Sequence, residues 1–215
     1  MVPDLLVIGG GSGGVRCARL AASMGAQVVL VEEKEMGGTC VNLGCVPKKL
    51  WVHAARVSQL LEDARGLGWN TQPATLNWKR LLTNKNNEIS RLNGIYSGML
   101  ERAGVTIIRG RARFSGPKTV EVNGTNLRAK HVLIATGSQP HRPGIPGIEH
   151  TITSDEAFHL PSLPPRVVLL GGGYIATEFA GIFHGLDCHV TQVYRGNLFL
   201  RGFDLDCRRA LAAEM

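Results

Sequence analysis

Leu5-Leu6-Val7-Ile8-Gly9-Gly10-Gly11-Ser12-Gly13-Gly14-Val15 is the stretch from which the fold is read. Four apolar residues without alternation suit a parallel strand buried on both faces, and glycines follow at once. A helical pattern runs from Val15 to Met24 and stops at Gly25. Gln27-Val28-Val29-Leu30-Val31 then reads as a second buried strand, ending at Glu32. Strand, helix and parallel strand make a βαβ unit. Inside it, Gly9-x-Gly11-x-x-Gly14 has dinucleotide spacing: Gly9 permits the tight turn, Gly11 lets a pyrophosphate approach, and Gly14 packs helix on strand. The helix N-terminus, with Ser12 and Gly13 in its first turn, offers N–H groups and a partial positive charge to phosphates. Glu32 stands where a ribose 2′-hydroxyl needs an acceptor.

The pattern occurs twice. Arg166-Val167-Val168-Leu169-Leu170 leads into Gly171-Gly172-Gly173, a helix over 174–184 and a strand over 188–193, with the fingerprint Gly171-x-Gly173-x-x-Ala176. The interval that separates Gly9 from Glu32 here ends on Tyr194, beside Arg195, so no carboxylate stands at the ribose position. Arg195 and Arg201 flank a loop with Gly196 and Asn197, and both can face one 2′-phosphate through bidentate, charge-assisted bonds. That pattern favours NADP over NAD. The unit looks unfinished, since two strands do not bury both faces of a doubly wound sheet.

Between the repeats, helices are expected over 46–66, opened by Pro47, and over 76–102. Short strands follow at 105–109, 112–114 and 118–122, with a turn at Asn123-Gly124, and a buried strand at His131-Val132-Leu133-Ile134-Ala135. Pro140, Pro143, Pro146, Pro161, Pro164 and Pro165 mark a linker, and a last helix opens near Asp204. The fold class is therefore α/β, with two Rossmann-like doubly wound nucleotide-binding modules, the second incomplete. Their expected extents are 1–150, a linker over 151–165, and 166–215.

Composition agrees with a packed, folded chain. Of the 215 residues, 44% are hydrophobic and 19% charged, enough apolar surface to exclude disorder, and the 27 glycines cluster in loops. The net charge of +7 favours anionic partners, but no basic run exceeds two residues and only 6% are aromatic, so small-molecule phosphates and carboxylates fit better than nucleic acid. No window approaches the ~18 apolar residues of a membrane span, and the start of the chain enters a strand with no basic leader. A reducing, cytoplasmic setting is expected, in which five cysteines do not build a disulfide scaffold.

Two of those cysteines stand apart, in Gly37-Gly38-Thr39-Cys40-Val41-Asn42-Leu43-Gly44-Cys45-Val46-Pro47-Lys48-Lys49. They are near enough to bridge if the segment coils. Cys45 precedes a helix whose first turn carries Lys48 and Lys49, and helix dipole and ammonium groups both favour thiolate. Metal spacing is missing. Cys17, Cys188 and Cys207 read as buried structural residues.

This cysteine segment resembles the redox-active disulfide of the FAD-dependent pyridine-nucleotide disulfide oxidoreductases. Ile134-Ala135-Thr136-Gly137 and Gly173-Tyr174-Ile175-Ala176-x-Glu178 extend the likeness over essentially the whole chain. Within the family, the chain most resembles the branch that reduces glutathione disulfide with NADPH. The resemblance implies that Cys45 is the flavin-proximal thiol, Cys40 the interchange thiol, and Lys48 a residue beside the flavin that pairs with Glu178. It implies FAD contacts from Ser12, Gly13, Glu32, Thr39, Cys40, Lys48 and Ala112. Tyr174 becomes a gate over the nicotinamide site, and Gly172, Ile175, Glu178, Arg195 and Arg201 hold NADPH. Arg19, Tyr96 and Ser12 match positions that hold glutathione disulfide, with Arg16 adding positive charge.

Relatives reducing trypanothione carry an acid where this chain has an arginine, and dihydrolipoamide dehydrogenases an acid in place of Arg195. Family subunits are much longer and act as homodimers, so the chain reads as an N-terminal part without the interface domain, and none of its seven histidines matches the family's acid/base histidine. A catalytically inactive truncation that binds FAD or a partner, and a reductase of another small disulfide, stand beside that reading.

Overall fold

A computed structural model describes residues 2–72 and 75–215. The expected second helix, placed over 76–102, begins just after the undescribed pair. The backbone sorts into two compact units, one formed by 1–48 with 84–158 and the other by 49–83 with 159–215.

The first unit is built on four parallel strands. β1 (Leu5–Ile8), β2 (Val28–Glu32), β3 (Thr106–Arg109) and β7 (His131–Ile134) run in the order β3-β2-β1-β7. Leu5 lies against both Val28 and His131, and Val29 against Thr106. The helix α1 (Ser12–Ser23) buries Gly14, Val15 and Ala18. On one face of the sheet these join Val7, Val28, Leu30 and Met36 with Leu100 and Val105, Leu100 coming from α4 (Trp78–Arg102).

The other face, with Leu6, Ile8 and Val31, packs on Val120, Val122 and Ala129. Val120 and Val122 belong to, and Ala129 directly follows, an antiparallel meander of β4 (Ala112–Gly116), β5 (Thr119–Val122) and β6 (Thr125–Arg128). The α/β reading holds, and this second covering layer is a meander instead of helices. β6 was not expected: Thr-Asn-Leu-Arg is short and polar, and becomes a strand because the Asn123-Gly124 turn folds it onto β5.

The strand expected to be buried at 131–135 is an edge strand, and Ile134 is 64% exposed. Its apolar run resembles that of β1, but among the described residues β1 has a strand on either side and β7 on one side alone. Two short helices were also unforeseen. One is α2 (Gly38–Leu43), which carries Cys40 and leads into α3 (Cys45–Gly66). The other, α5 (Ser154–Ala157), follows a 3-10 turn at Ile148–His150 inside the proline-rich stretch. Thr153 and Glu156 cap α5 reciprocally. Hydrogen bonds from the Thr153 hydroxyl and N–H hold the Glu156 carboxyl at a pKa of about 2.

Lys85 on α4 is 1% exposed, and its ammonium donates to the Phe158 carbonyl at 2.7 Å. Burial pushes its pKa below the ordinary 10.5. The folded protein then binds fewer protons than the unfolded chain between the two pKa values, so stability rises with pH up to 10.5 and levels off above it. Denaturant midpoints measured from pH 7 toward alkaline pH are expected to show that rise, and Lys85→Met to flatten it. An unchanged slope in the variant would assign the rise to another group.

In the second unit β8 (Arg166–Leu170) and β9 (His189–Val193) pair in parallel, with α6 (Tyr174–Gly185) between them and α7 (Leu205–Glu214) last. Both strands alternate in exposure, with Val168 71% exposed. Packing gathers on α6, where Phe179 and Phe183 meet Trp51, itself against Trp78. A Cβ at Gly185 would lie 2.9 Å from that of Ala55, so glycine lets α6 and α3 approach closely. Asp204 caps α7 by accepting from Asp206 and Cys207. Of the three cysteines read as buried, only Cys188 is. Cys207 is exposed on α7, a helix that buries none of its residues, and Cys17 is half-buried on α1. Among the described residues no helix is long and apolar enough to cross a membrane.

Candidate functional site

The β1–α1 turn has the shape its glycines foretell. Gly9 has φ +110°, and a Cβ there would collide with the Ala135 carbonyl. A Cβ at Gly14 would run into the Gly9 carbonyl oxygen. Gly14→Ala must therefore open the turn. We expect it to cost about 3 kcal/mol, the upper end of ordinary substitutions, measured by denaturant unfolding; a cost near zero would contradict the packing.

Gly11, the N-cap of α1, has no side chain to occupy the helix end, and beside Gly13 lies open space. Backbone N–H groups of the first turn, with Ser12 exposed among them, are thus open to an anion. Glu32 ends β2 with one carboxylate oxygen accepting from Gly10 N–H at 2.5 Å and the other from Lys34 N–H at 2.7 Å. Each oxygen keeps a lone pair for a further donor. The cradle fits a dinucleotide: glycine where a side chain would block phosphate, and a carboxylate at the end of the next strand.

The cysteine segment is strapped to this turn. Gly37 N–H donates to the Gly10 carbonyl at 2.8 Å, and Gly11 and Gly37 form an isolated bridge. A Cβ on Gly38, where φ is +61°, would lie 2.6 Å from Gly11 Cα. From there α2 carries Thr39 and Cys40, and Gly44 turns the chain into α3, which opens on Cys45. A Cβ on Gly44 would press to 2.9 Å from the Thr39 carbonyl oxygen. Cys40 and Cys45 are joined in a disulfide with their Cα atoms 4.7 Å apart. Cys45 is exposed and Cys40 half-buried. Lys48 is half-buried in the first turn of α3, and its N–H donates to the Gly44 carbonyl at 3.0 Å. Ala112 opens β4 and packs beside the cluster under the meander.

The residues expected to meet substrate lie on this unit's helices. Arg16 and Arg19 are exposed on α1, and Tyr96 packs half-buried against the cluster that holds Val15 and Ala18. Missed in the sequence was Asn93, one turn before Tyr96. Its amide N–H groups donate to the Met36 carbonyl at 2.6 Å and to Asn42 Oδ1 at 2.9 Å. The signal lay in spacing, since Asn93, Tyr96 and Leu100 fall on one inward-facing stripe of α4.

In the second unit, Gly172, Gly173, Tyr194, Arg195 and Arg201 line a cavity of about 290 Å³. Both arginines of the expected pair are there, brought around by a loop in which Leu200 has φ +58° and donates to the Gly172 carbonyl at 2.6 Å. Tyr194, which the count from Gly171 reached without giving it a role, lays its ring over the glycine turn. A Cβ on Gly172 would sit 2.5 Å from that ring, and one on Gly196 2.6 Å from it. Gly173 caps α6 without a side chain on the helix end. Tyr174 and Ile175 follow, exposed, with Glu178 half-buried one turn on. Two guanidinium groups beside an open helix N-terminus and a glycine turn fit a phosphorylated nucleotide. Among the described residues, no group of three or more His, Cys, Asp or Glu could hold a metal ion.

These features coincide with a known family. The profile described as pyridine nucleotide-disulphide oxidoreductase matches residues 3–215. The glutathione reductase of Burkholderia cepacia is 50% identical over 212 residues, 99% of this chain and 47% of that protein. The Nostoc sp. glutathione reductase is 47% identical over 212 residues, 99% of this chain and 46% of its own length. The chloroplastic/mitochondrial glutathione reductase of Pisum sativum is 46% identical over 213 residues, 94% of this chain and 38% of its own. The chain spans about half the length, or less, of these curated relatives. With the family profile matched from residue 3 to residue 215 and its disulfide in place beside the glycine turn, the chain belongs to the pyridine nucleotide-disulphide oxidoreductase family.

Proposed function

We propose that this chain is the dinucleotide-binding, disulfide-bearing portion of an NADPH-dependent flavoprotein that reduces glutathione disulfide in the cytoplasm as a homodimer. The observation that carries the proposal is the Cys40–Cys45 disulfide, which joins the short α2 to the start of α3 and is strapped to the Gly9–Gly14 turn. FAD, when bound, relays electrons from NADPH to this disulfide. The glycine turn of β1–α1, with Ser12, Gly13, Glu32, Thr39, Lys48 and Ala112, holds FAD, and Gly172, Ile175, Glu178, Arg195 and Arg201 hold NADPH. Tyr174 covers the nicotinamide site.

The rest is thiol chemistry of the chain's own residues. Once the pair is a dithiol, Cys40 thiolate attacks one sulfur of glutathione disulfide and expels a glutathione thiolate, which takes up a proton. Cys45 thiolate then attacks Cys40 Sγ in the mixed disulfide, releasing the second glutathione and closing the Cys40–Cys45 bond again. Helix dipole and the Lys48 ammonium favour thiolate at Cys45. Arg19 binds a substrate carboxylate, with Ser12 and Tyr96 beside it.

The test uses the protein at its natural length, supplied with FAD and NADPH. Glutathione disulfide is expected to drive NADPH consumption, and the disulfides of lipoamide and trypanothione to do so poorly. Brisk turnover of either alternative, with little on glutathione disulfide, would replace the substrate. No turnover on any of the three would favour a binding role.

A further inference from the structure

Asn93 belongs to none of the groups assigned so far, yet it reaches the cysteine loop from another helix. One amide group donates both to the Met36 carbonyl at 2.6 Å and to Asn42 Oδ1 at 2.9 Å. Asn42, between the two cysteines in sequence, donates in turn to the Gly38 carbonyl at 2.9 Å and to the Met36 carbonyl at 3.2 Å. Met36 is fully buried, and its sulfur sits where a Cβ on Gly10 would come within 2.6 Å. The next residue, Gly37, donates to the Gly10 carbonyl. A continuous chain of contacts thus runs from α4 through two amides to the segment that leads into Cys40, and from there to the glycine turn.

We infer that Asn93 is a positioning residue for the redox pair: through Asn42 and Met36 it holds the Cys40 segment in its disulfide-forming place when the Cys40–Cys45 bond is open. The inference rests on the redox role proposed above. None of the four hydrogen bonds involves sulfur, so all of them survive reduction. Holding two thiols near one another raises their effective concentration, which favours the disulfide over the dithiol. Without the amide of Asn93, Asn42 Oδ1 loses its donor and the Met36 carbonyl keeps only the longer bond from Asn42. The dithiol segment then spreads, and the disulfide loses part of its advantage.

The experiment equilibrates the holoprotein, at its natural length, with mixtures of dithiothreitol and its cyclic disulfide. In each exchange dithiothreitol gives two electrons and two protons to the Cys40–Cys45 bond, leaving two thiols and the cyclic product. Alkylation and mass spectrometry count the thiols. For Asn93→Leu we expect the equilibrium to move about tenfold toward the dithiol, a potential about 30 mV less negative. Asn93→Asp, which keeps the shape and loses both donors, is expected to move it the same way and carries the test if the leucine variant does not fold. Asn93→Gln, which keeps the donors on a longer stem, should recover part of the shift. A lowered melting temperature in the leucine and aspartate variants with an unchanged thiol equilibrium would make Asn93 a packing residue and overturn the inference. A wild-type pair that no mixture reduces would overturn the redox reading itself, while a wild type that cycles normally beside unshifted variants would overturn the clamp alone.

Discussion

Serine at Cys40 or at Cys45 is expected to lower NADPH-dependent reduction of glutathione disulfide by a factor on the order of 10³ or more, because the two sulfurs act as one unit. The two variants are also expected to differ. Cys45 opens α3, exposed, with Lys48 in the same helical turn, so it is the sulfur whose surroundings favour thiolate. Cys40 lies within α2, half-buried. With Cys45 as the flavin-proximal thiol, the Cys40→Ser holoprotein keeps a long-wavelength absorbance from a thiolate beside flavin, and Cys45→Ser loses it. The same pair separates the exchange roles: with Cys40 intact, Cys45→Ser still accepts one glutathione as a mixed disulfide, visible by mass, whereas Cys40→Ser does so poorly. The reverse pattern would exchange the two roles, and substantial turnover by either variant would remove the disulfide from the reaction.

The strand-turn-helix units were legible because each rests on local rules. A glycine fingerprint and unbroken apolar runs specify β1, α1 and β2, and the same fingerprint after an apolar run specifies β8 and α6, with β9 read from its place in the repeat. What escaped depends on partners far along the chain. The run at His131 has the composition of a central strand, but a neighbour on one side only leaves Ile134 facing outward. α2 is six residues with glycine at its start, too short for a periodicity to register, and Gly37 and Gly38 with φ near +101° and +61° set its direction. Cys207 lies in the first turn of α7, a capped helix that buries none of its residues.

The candidate site divides the same way. Glu32, the cysteine pair and the two arginines stand at fixed spacings from glycines and could be named from the sequence. Asn93 and Asn42 are brought together by tertiary packing across a wide sequence separation. The Tyr194 ring found a place only because Gly172 and Gly196 leave room for it.

Reversing both charges of that second cavity, in Arg195→Glu with Arg201→Glu, is expected to turn nucleotide preference from NADPH toward NADH. Arg195 and Arg201 line one cavity with Gly172, Gly173 and Tyr194, while the first unit ends its second strand on the carboxylate of Glu32. A ribose hydroxyl can donate to a carboxylate, whereas a 2′-phosphate is repelled by one, so the substitution moves the two nucleotides in opposite directions. Each charge-assisted contact with phosphate is worth about 1.5–3 kcal/mol, and losing two of them lowers NADPH affinity by roughly 10²–10⁴-fold. Both arginines are exposed at the cavity mouth, and salt screens part of the attraction, so the smaller figure is the one expected at physiological ionic strength. Titration with 2′,5′-ADP and with 5′-AMP separates the phosphate contribution from the rest of the nucleotide without any turnover. The wild type is expected to prefer the bisphosphate and to lose that preference as salt rises, and the variant to bind the two alike. A variant that keeps the bisphosphate preference would place the 2′-phosphate elsewhere than on Arg195 and Arg201.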